Sequence, residues 1–460
     1  MRFLPAFLCM LPSLALAGGV IWSDRFSTTK AIRIAGFDGT GARNLYSATV
    51  SDPRGVIVDT AGGRVFYLDR GGSGGLHSVT LAGDDFRTHI SSLNSPADLR
   101  FDRSNRVLYW CEEGGLLRKA AVLTNPMGLT AEPLFSGLTS PYYLDIDPAG
   151  GKIYWGQNGA SIFSGPLSGG IPDSPALYNA GANNRGVCVD AAAGMLYWCE
   201  RDGAHVVRRR PIAGGAIQNL YAGLDTPHGL VLDIPARKLY WADTGTNGIN
   251  GFNARGISRG DMDGSTPAEI IIPGTSTNQP WDVDLDTRTA TFAEWVARFF
   301  RLNAPPGETA RTADPDGDDL NNFGEYAFGT PPRLGSTPIV ETLTVVEAGT
   351  SYLALRFLRR IAAADVTYRV EYSTDLVTWR DNTQGTFTVE LSAAPFDDGL
   401  ELVTARSATS LTGAPAQFLR VQATQVIPGT GEMVFTENEP SEKRERVPRR
   451  LKNRRAHSAR

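Results

Sequence analysis

The sequence predicts a predominantly β protein, in which a six-bladed β-propeller precedes a short helix–loop–helix segment and a small antiparallel β-sandwich. Three observations support this prediction. A short aromatic motif recurs six times at nearly constant spacing, and 50 Gly and 28 Pro among 460 residues indicate many turns between short strands. The pattern then changes to a helical one after residue 290.

The first 17 residues have the pattern of an export signal. Arg2 precedes an apolar run over residues 3–16, and Ala15 and Ala17 form a small-x-small cleavage site. A buried N-terminal helix is the alternative. No later stretch reaches the roughly 18 apolar residues that a membrane helix needs. We therefore expect no transmembrane segment and a secreted, cell-surface or periplasmic protein. The net charge of -4 gives no reason to expect nucleic acid as a partner.

Residues 18–290 hold the repeat. Each copy pairs apolar and aromatic residues and ends on a polar one, and the copies occupy residues 21–24, 66–69, 109–112, 154–157, 197–200 and 240–243. Ten residues before the end of each complete copy stands an aspartate: Asp59, Asp102, Asp147, Asp190 and Asp233. A fixed offset predicts a fixed hairpin. Four short strands per period of about 43 residues are typical of propeller blades.

The two ends of the repeat region predict how the ring closes. The first copy lacks an opening strand, whereas residues 280–286 form an opening strand without a motif of their own. Together they complete one blade. Pairing of N- and C-terminal strands removes the open sheet edges that an incomplete ring would expose.

These copies resemble the LDL-receptor class B, or YWTD, repeat family, whose members form six-bladed propellers in extracellular proteins. The resemblance covers about 270 residues. The threonine column departs from the family pattern, and Gln157 replaces an acid. The resemblance implies that the aromatic pairs are core and that the acidic column is structural. That acidic column comprises Asp24, Asp69, Glu112, Glu200 and Asp243.

Functional residues are expected where the copies diverge. Counting five residues back from each hairpin aspartate gives a column at the start of each innermost strand, which should ring the mouth of the central channel. The predicted ligand-binding residues, from this column and the next, are Arg54, Asp98, Tyr142, Tyr143, Arg185, His228, Trp281 and Asp282. Arginine matches carboxylate, phosphate or sulfate groups, and aromatic faces stack on sugars or cations. Alternatively, these side chains plug the channel and satisfy one another.

The sequence favours a secreted, non-enzymatic protein that recognises an extracellular protein or a glycan. The mature chain has scattered histidines and lacks the nucleophile-elbow, P-loop and zinc-protease motifs. One alternative is a propeller hydrolase or lyase acting on a sugar or lactone at the channel mouth. Another is a structural surface protein.

Three cysteines follow the signal. Cys188 and Cys199 lie on neighbouring strands of one blade and could form a disulfide, whereas Cys111 faces Arg100 in the same scheme and should stay free. The alternative is that all three are small buried residues.

Residues 291–336 are predicted to contain a helix over residues 292–300 and a calcium loop. Oxygen ligands recur at positions 1, 3, 5, 7, 9 and 12, supplied by Asp314, Asp316, Asp318, the Leu320 carbonyl, Asn322 and Glu325. Asp319 stands where an EF-hand has glycine. The loop resembles dockerin-like and thrombospondin-type calcium loops of secreted bacterial proteins, so calcium is the expected cofactor.

The C-terminal part divides into two predicted units. Residues 337–427 contain alternating strands that indicate a β-sandwich, and residues 368–379 resemble a β module common at the C-termini of exported bacterial proteins. Residues 428–460 end in a basic run without apolar periodicity. We expect a disordered tail there that is able to contact polyanions.

Overall fold

The computed structural model describes residues 18–438 except residues 73, 123–128, 158, 160, 180–182, 246–255, 275–278, 336–339, 362, 364, 397–398, 415 and 428–430. Side chains are described as far as residue 425. The predicted signal peptide and the basic run at the C-terminus lie outside the described residues.

The propeller consists of 24 strands in six four-stranded antiparallel sheets. In chain order they are β1 (Gly19–Asp24), β2 (Ala31–Ala35), β3 (Arg43–Tyr46), β4 (Pro53–Asp59), β5 (Arg64–Asp69), β6 (Gly75–Thr80), β7 (Arg87–Ser91), β8 (Pro96–Asp102), β9 (Val107–Glu112), β10 (Leu116–Ala121), β11 (Glu132–Phe135), β12 (Pro141–Asp147), β13 (Lys152–Gln157), β14 (Ser161–Pro166), β15 (Tyr178–Asn179), β16 (Asn184–Asp190), β17 (Met195–Glu200), β18 (Val206–Pro211), β19 (Gln218–Tyr221), β20 (Pro227–Asp233), β21 (Lys238–Asp243), β22 (Gly256–Asp261), β23 (Glu269–Pro273) and β24 (Pro280–Asp286).

The six sheets close into a ring, as the sequence predicted. Each sheet has an innermost strand, and these strands contact one another in the cyclic order β4, β8, β12, β16, β20, β24 and back to β4. The last sheet has the order β24-β1-β2-β3, so it joins the two ends of the propeller. Within it, Trp22 lies opposite Val283 and Val20 lies opposite Leu285.

The hairpin aspartates hold the turn between the first two strands of a blade. Asp59 accepts a hydrogen bond from the backbone N–H of Gly62 at 2.8 Å, and Asp147 accepts one from Gly150 at 2.8 Å. An aspartate side chain that binds the backbone three residues later stabilises a tight turn. This local contact explains why the aspartate keeps its distance from the motif.

Acidic residues that end the second strands accept hydrogen bonds from the loop that leads into their own blade. Asp69 accepts the backbone N–H groups of Ser51 and Asp52 at 2.7 and 2.8 Å. Asp243 does the same for Asp225 and Thr226 at 2.9 and 2.7 Å. These contacts give the acidic column a structural role, because each carboxylate satisfies loop amides that no strand partner reaches.

Aromatic residues of the motif fill the space between neighbouring blades. Five tryptophans of the repeat are almost fully buried: Trp22, Trp110, Trp155, Trp198 and Trp241. Because one four-stranded sheet cannot bury such large side chains alone, the blades are stable only when they are stacked.

After the ring, three helices precede a pair of sheets. The helices are α1 (Phe292–Phe299), α2 (Pro306–Thr309) and α3 (Asn322–Phe328). The strands are β25 (Val340–Glu347), β26 (Thr350–Arg360), β27 (Thr367–Ser373), β28 (Thr388–Pro395), β29 (Leu400–Ser410), β30 (Phe418–Ile427) and β31 (Gly431–Asn438). They form a four-stranded sheet, β25-β26-β29-β28, and a three-stranded sheet, β27-β30-β31.

The last strand differs from the sequence prediction. Residues 428–460 were expected to form a disordered tail, whereas β31 pairs with β30 from Arg420 opposite Asn438 to Ile427 opposite Gly431. The disorder boundary at residue 428 was therefore wrong. Without β31, strand β30 would be left as an open sheet edge.

The C-terminal part packs directly on the ring. Thr291 caps α1 with a complete capping box. Near the end of the helix, Arg298 forms a bidentate ion pair with Asp233 at 2.7 and 2.8 Å, and both side chains are buried. A hydrophobic cluster around Trp295, Tyr326 and Phe357 reaches Ala236 of the propeller. Among the described residues, no helix has the length and apolar character to span a bilayer.

Candidate functional site

A β-bulge marks the beginning of each innermost strand. In β4, Pro53 lies opposite Asp69 and Val56 lies opposite Tyr67, so three steps on one strand match two on the other. The same register shift occurs at the start of β8, β12, β16, β20 and β24. Bulges re-aim side chains locally. Here the bulge coincides with the two columns that the sequence singled out.

The first column converges at one end of the central axis around Trp281. The ring of His228 stacks on Trp281 with centroids 3.8 Å apart, and the guanidinium of Arg54 lies 4.6 Å from the Trp281 ring. Tyr142 accepts a hydrogen bond from Arg54 Nη1 at 3.3 Å, and Arg185 lies 4.4 Å above the Tyr142 ring. These five residues, from five different blades, are called the collar.

The collar closes the channel at this end. Its most exposed side chain, Tyr142, is 6% exposed. The aromatic rings and guanidinium groups pack on one another, as the plug alternative anticipated, and leave little room for a ligand to enter between them. A ligand that uses the collar therefore has to approach it from outside.

The outer surface of the collar is basic. Arg25, 22% exposed at its side chain, lies 4.4 Å from Trp281 and donates to Asp52 Oδ1 at 2.5 Å, while Arg54 donates to Asp52 Oδ2 at 3.0 Å. Burial is the main cause that holds the pKa of His228 well below its usual value. The charges of four nearby arginines lower it further: Arg185, Arg201, Arg25 and Arg54.

The second column lies deeper than a channel mouth. Asp98 and Asp282 are fully buried, and each accepts a backbone N–H of the neighbouring blade, from Leu144 and Val56 respectively, at 3.0 Å. A Cβ atom at Gly229 would lie 2.0 Å from Asp282 Oδ1, so glycine is needed there to leave room for the carboxylate. These aspartates join blades together and do not line an accessible entrance.

Tyr143 occupies the same deep layer. Its hydroxyl lies 3.3 Å from His228 Nδ1, and burial raises its pKa well above the usual value. Tyr143 therefore supports the collar from below.

The loop that the sequence predicts to bind calcium is closed by backbone hydrogen bonds to its first residue. Asp314 accepts the backbone N–H groups of Gly317 at 2.8 Å and Asp319 at 3.1 Å, which folds the loop around its first residue. Asp319 adopts a φ of 78°, the left-handed conformation that an EF-hand reserves for glycine at this position. The side-chain oxygens of Asp314, Asp316 and Asp318 lie within 4.8 Å of one another.

Several oxygens of this loop are buried without a hydrogen-bond partner. Both carboxylate oxygens of Asp316 and both of Glu325 are in this state, and so is Oδ1 of Asn322, whose Nδ2 donates to two carbonyls of the preceding turn. Burial raises the pKa of Glu325 to about 9, with further contributions from Asp316, Asp318 and Asp314. Unpaired buried carboxylates are costly, so this donor set fits a hard divalent cation.

Cys188 and Cys199 do not form the disulfide that the sequence suggested. The turn sets a register in which Cys188 lies opposite Tyr197, and the bulge places Cys199 opposite Arg185. Cys111 likewise lies opposite Asp98 and not Arg100. All three cysteines within the described part of the chain are buried free thiols. The thiol of Cys188 donates a hydrogen bond to the Leu230 carbonyl at 2.8 Å. The predicted disulfide was wrong because the pairing scheme ignored the hairpin register.

Sequence reasoning missed two features. Arg25 and Phe26 extend the collar but precede β2 in a loop, so no repeat column contains them. The fifth residues of the innermost strands form another axial layer: Ile57, Arg100, Asp145, Cys188, Val231 and Asp284. Each of these residues lies two positions before the aspartate that ends its strand, so counting back two residues from that aspartate would have identified the layer.

Comparison with known proteins gives the following. No family model matches the chain. Low-density lipoprotein receptor-related protein 1 of Pyricularia oryzae is 27% identical over 195 residues, which cover 36% of this chain and 62% of the relative. The chain thus spans less than two thirds of the length of that relative.

Several solved propellers are similar in structure. A chain of the nidogen/laminin complex aligns with a TM-score of 0.48 and 18% identity, over 58% of this chain and 98% of that one. TolB from Acinetobacter baumannii aligns with a TM-score of 0.42 and 13% identity, over 58% and 66%. A putative 6-phosphogluconolactonase from Bacteroides uniformis aligns with a TM-score of 0.40 and 12% identity, over 60% and 87%.

Proposed function

We propose that this chain is a secreted or cell-surface binding protein without catalytic activity, and that its collar recognises an acidic group of an extracellular protein or glycan. The observation that carries the proposal is the clustering of four arginines around one end of the propeller axis. Against them stand Asp52, which pairs with Arg25 and Arg54, and Asp202, which lies 3.7 Å from Arg201. Four arginines therefore stand against these two aspartates.

The chemistry of the collar suits an anion. Guanidinium groups stacked on aromatic rings are already held in place, so they lose little side-chain freedom when a carboxylate or sulfate binds. Arg25, which lies 4.4 Å from the Trp281 ring and is 22% exposed at its side chain, offers such a guanidinium to a ligand outside the collar. Charge-assisted hydrogen bonds of this kind are stronger than neutral ones.

The residues at the collar end of the axis argue against catalysis at that end. Asp98 and Asp282 are each engaged with a backbone N–H of the next blade, and His228 is stacked and buried. Within the described residues, the only acidic, His or Cys group suited to a metal ion lies in the loop of residues 314–318, on the chain after the ring. A hydrolytic mechanism would need a free base or a metal-bound water at the axis.

We propose further that calcium occupies the loop, held by Asp314, Asp316, Asp318, the Leu320 carbonyl, Asn322 and Glu325. Calcium would supply the positive charge that the buried oxygens of Asp316 and Glu325 lack. Because Glu325 belongs to α3, whose residues pack in the hydrophobic cluster next to the ring, the ion would fix the C-terminal part on the propeller.

Binding to an array of sulfated, carboxylated and neutral glycans at low and moderate salt tests the collar proposal. The variant Arg25→Gln, Arg201→Gln removes two partly exposed charges that lie beside the collar. The control Arg87→Gln removes a similarly exposed arginine on an outer strand. We expect binding to acidic glycans that weakens with salt and with the collar variant but persists in the control.

Two outcomes would contradict the collar proposal. One is equal binding by the collar variant and the wild-type protein. The other is the absence of binding to any acidic glycan and to any acidic extracellular protein tested in parallel. Turnover of lactone or glycoside substrates by the purified protein would contradict the non-enzymatic part.

A further inference from the structure

A second site is suggested by a cavity at the other end of the propeller axis. The cavity has a volume of about 970 Å³, and its walls come from the innermost strands of all six blades and from two turns of the C-terminal sheets. Those turns contribute Ile361, Phe396 and Gly399. Cavities of this size commonly hold small organic ligands.

The inner wall of the cavity is formed by the axial layer that contains Arg100, Asp145, Cys188 and Asp284. Asp145 uses Oδ2 to accept the backbone N–H of Val189 at 2.7 Å, and its Oδ1 lies 3.6 Å from Arg100 Nε, beyond hydrogen-bond distance. Asp284 uses Oδ2 for the backbone N–H of Val58 at 2.7 Å. Each of these two hydrogen bonds engages only the Oδ2 atom of its carboxylate.

Acidic side chains outnumber basic ones in and behind this wall. Two guanidinium groups, those of Arg100 and Arg103, face four carboxylates: Asp98, Asp145, Asp282 and Asp284. Asp282 Oδ1 is buried with no hydrogen-bond partner. The other charged pairs of the lining, Asp59 with Arg106 and Arg288 with Asp286, are already matched.

The pKa values agree with this imbalance. Burial raises the pKa of Asp145 to about 6 and is also the largest cause that raises the pKa of Asp284. Arg100 opposes both shifts but does not cancel them. A second cation close to these carboxylates would stabilise their charged forms.

The outer part of the cavity is apolar. Ile234, Ile361 and Phe396 are 44%, 54% and 55% exposed, although each is a large hydrophobic side chain. They come from a blade turn and from both C-terminal turns. An apolar rim above an acidic wall fits a ligand with a charged end and a hydrophobic body.

We propose that this cavity binds a small organic cation, a protonated amine carried on an apolar or aromatic body. Its ammonium group donates a hydrogen bond to one of the two carboxylates of the wall, Asp145 or Asp284, and its hydrophobic part lies against Phe396 and Ile361. The site is independent of the collar, because it lies at the opposite end of the same strands and has the opposite charge.

Calorimetric titration of the full protein tests this site, with phenethylamine as the probe and phenethyl alcohol as its neutral isostere. We expect the amine to bind at least about tenfold more tightly than the alcohol, as charge-assisted hydrogen bonds would provide. The Asp145→Asn, Asp284→Asn double variant should lose about tenfold or more in amine affinity. Asp190→Asn, a buried hairpin aspartate outside the cavity, should bind like the wild-type protein.

A second variant tests the site independently, in case the double variant does not fold. Phe396→Ala truncates an exposed rim residue, so its melting temperature should stay unchanged while both probes bind more weakly. Equal affinity for amine and alcohol, unchanged amine binding in both variants, or no amine binding by the wild-type protein would overturn the proposal.

Discussion

Removal of calcium should destabilise the C-terminal part by an amount that follows from the usual affinity of extracellular calcium sites. Extracellular calcium sites bind in the range of about 0.1 to 1 mM. At about 2 mM calcium and a dissociation constant of about 0.1 mM, the bound ion contributes about 2 kcal/mol. For a unit of about 140 residues this corresponds to a melting shift of about 6 °C.

The structural reason for this expectation is the position of α3. Phe323, Tyr326 and Phe328 of this helix are fully buried, and Glu325 on the same helix has two buried carboxylate oxygens without partners. Without a cation, the folded state has to keep this carboxyl group buried and unpaired. Chelation should therefore lower the temperature at which the C-terminal part unfolds.

Differential scanning calorimetry of the full protein, with calcium and with chelator, measures the shift. Glu325→Gln should abolish the response to calcium. Asp319→Asn removes a charge from the same loop, and asparagine tolerates the left-handed conformation at that position, so this control should keep the response. The reasoning would be refuted by equal melting temperatures with and without chelator, or by a full calcium response in Glu325→Gln.

Two further predictions concern stability. Arg298→Met leaves Asp233 buried and unpaired at the junction between ring and α1, so urea unfolding should show a loss of about 3 to 5 kcal/mol, and a loss below about 1 kcal/mol would contradict a buried pair. Asp145 has a folded-state pKa of about 6 against 3.8 in the unfolded chain, so its stabilising contribution is present below pH 4 and is lost as the pH rises through about 6. Relative to Asp145→Asn, the wild-type protein should lose up to about 3 kcal/mol between pH 4 and 7, and parallel stability profiles of the two proteins would exclude this assignment.

The ring was predictable because each blade repeats the same local contacts. The hairpin aspartate binds an amide three residues later, as Asp59 does with Gly62, so its distance from the motif is fixed by one turn. The closing blade was recognisable for the same reason, since β24 has the opening pattern and lacks the motif. Short-range geometry of this kind determines the spacing of residues and can therefore be recognised from the sequence.

The collar was only half predictable. Counting along the strands identified its residues, because every blade places the same column at the axis. Whether the collar is open or closed depends on contacts across the ring, such as the stack of His228 on Trp281, and no spacing encodes these. The bulges that shift Cys199 opposite Arg185 were missed for the same reason.

The cavity depends on contacts even further apart in sequence. Asp145 and Phe396 line the same space, yet one belongs to a blade and the other to a turn of the C-terminal sheet. Neither carries a motif. The docking of α1 on the ring, to which the pair of Arg298 and Asp233 contributes, brings the two together.

The pairing of β1 with β24 also governs how this chain can fold. Ser23 and Asp282, joined by a hydrogen bond in this blade, are 259 residues apart in sequence. Contacts between such distant residues form slowly, because a long loop has to close before they add any stability. Until the chain is complete to Asp286, β1 remains an unpaired edge that is able to pair with another molecule. C-terminal truncations that remove β24 should therefore aggregate during refolding, whereas truncations after residue 438 should not.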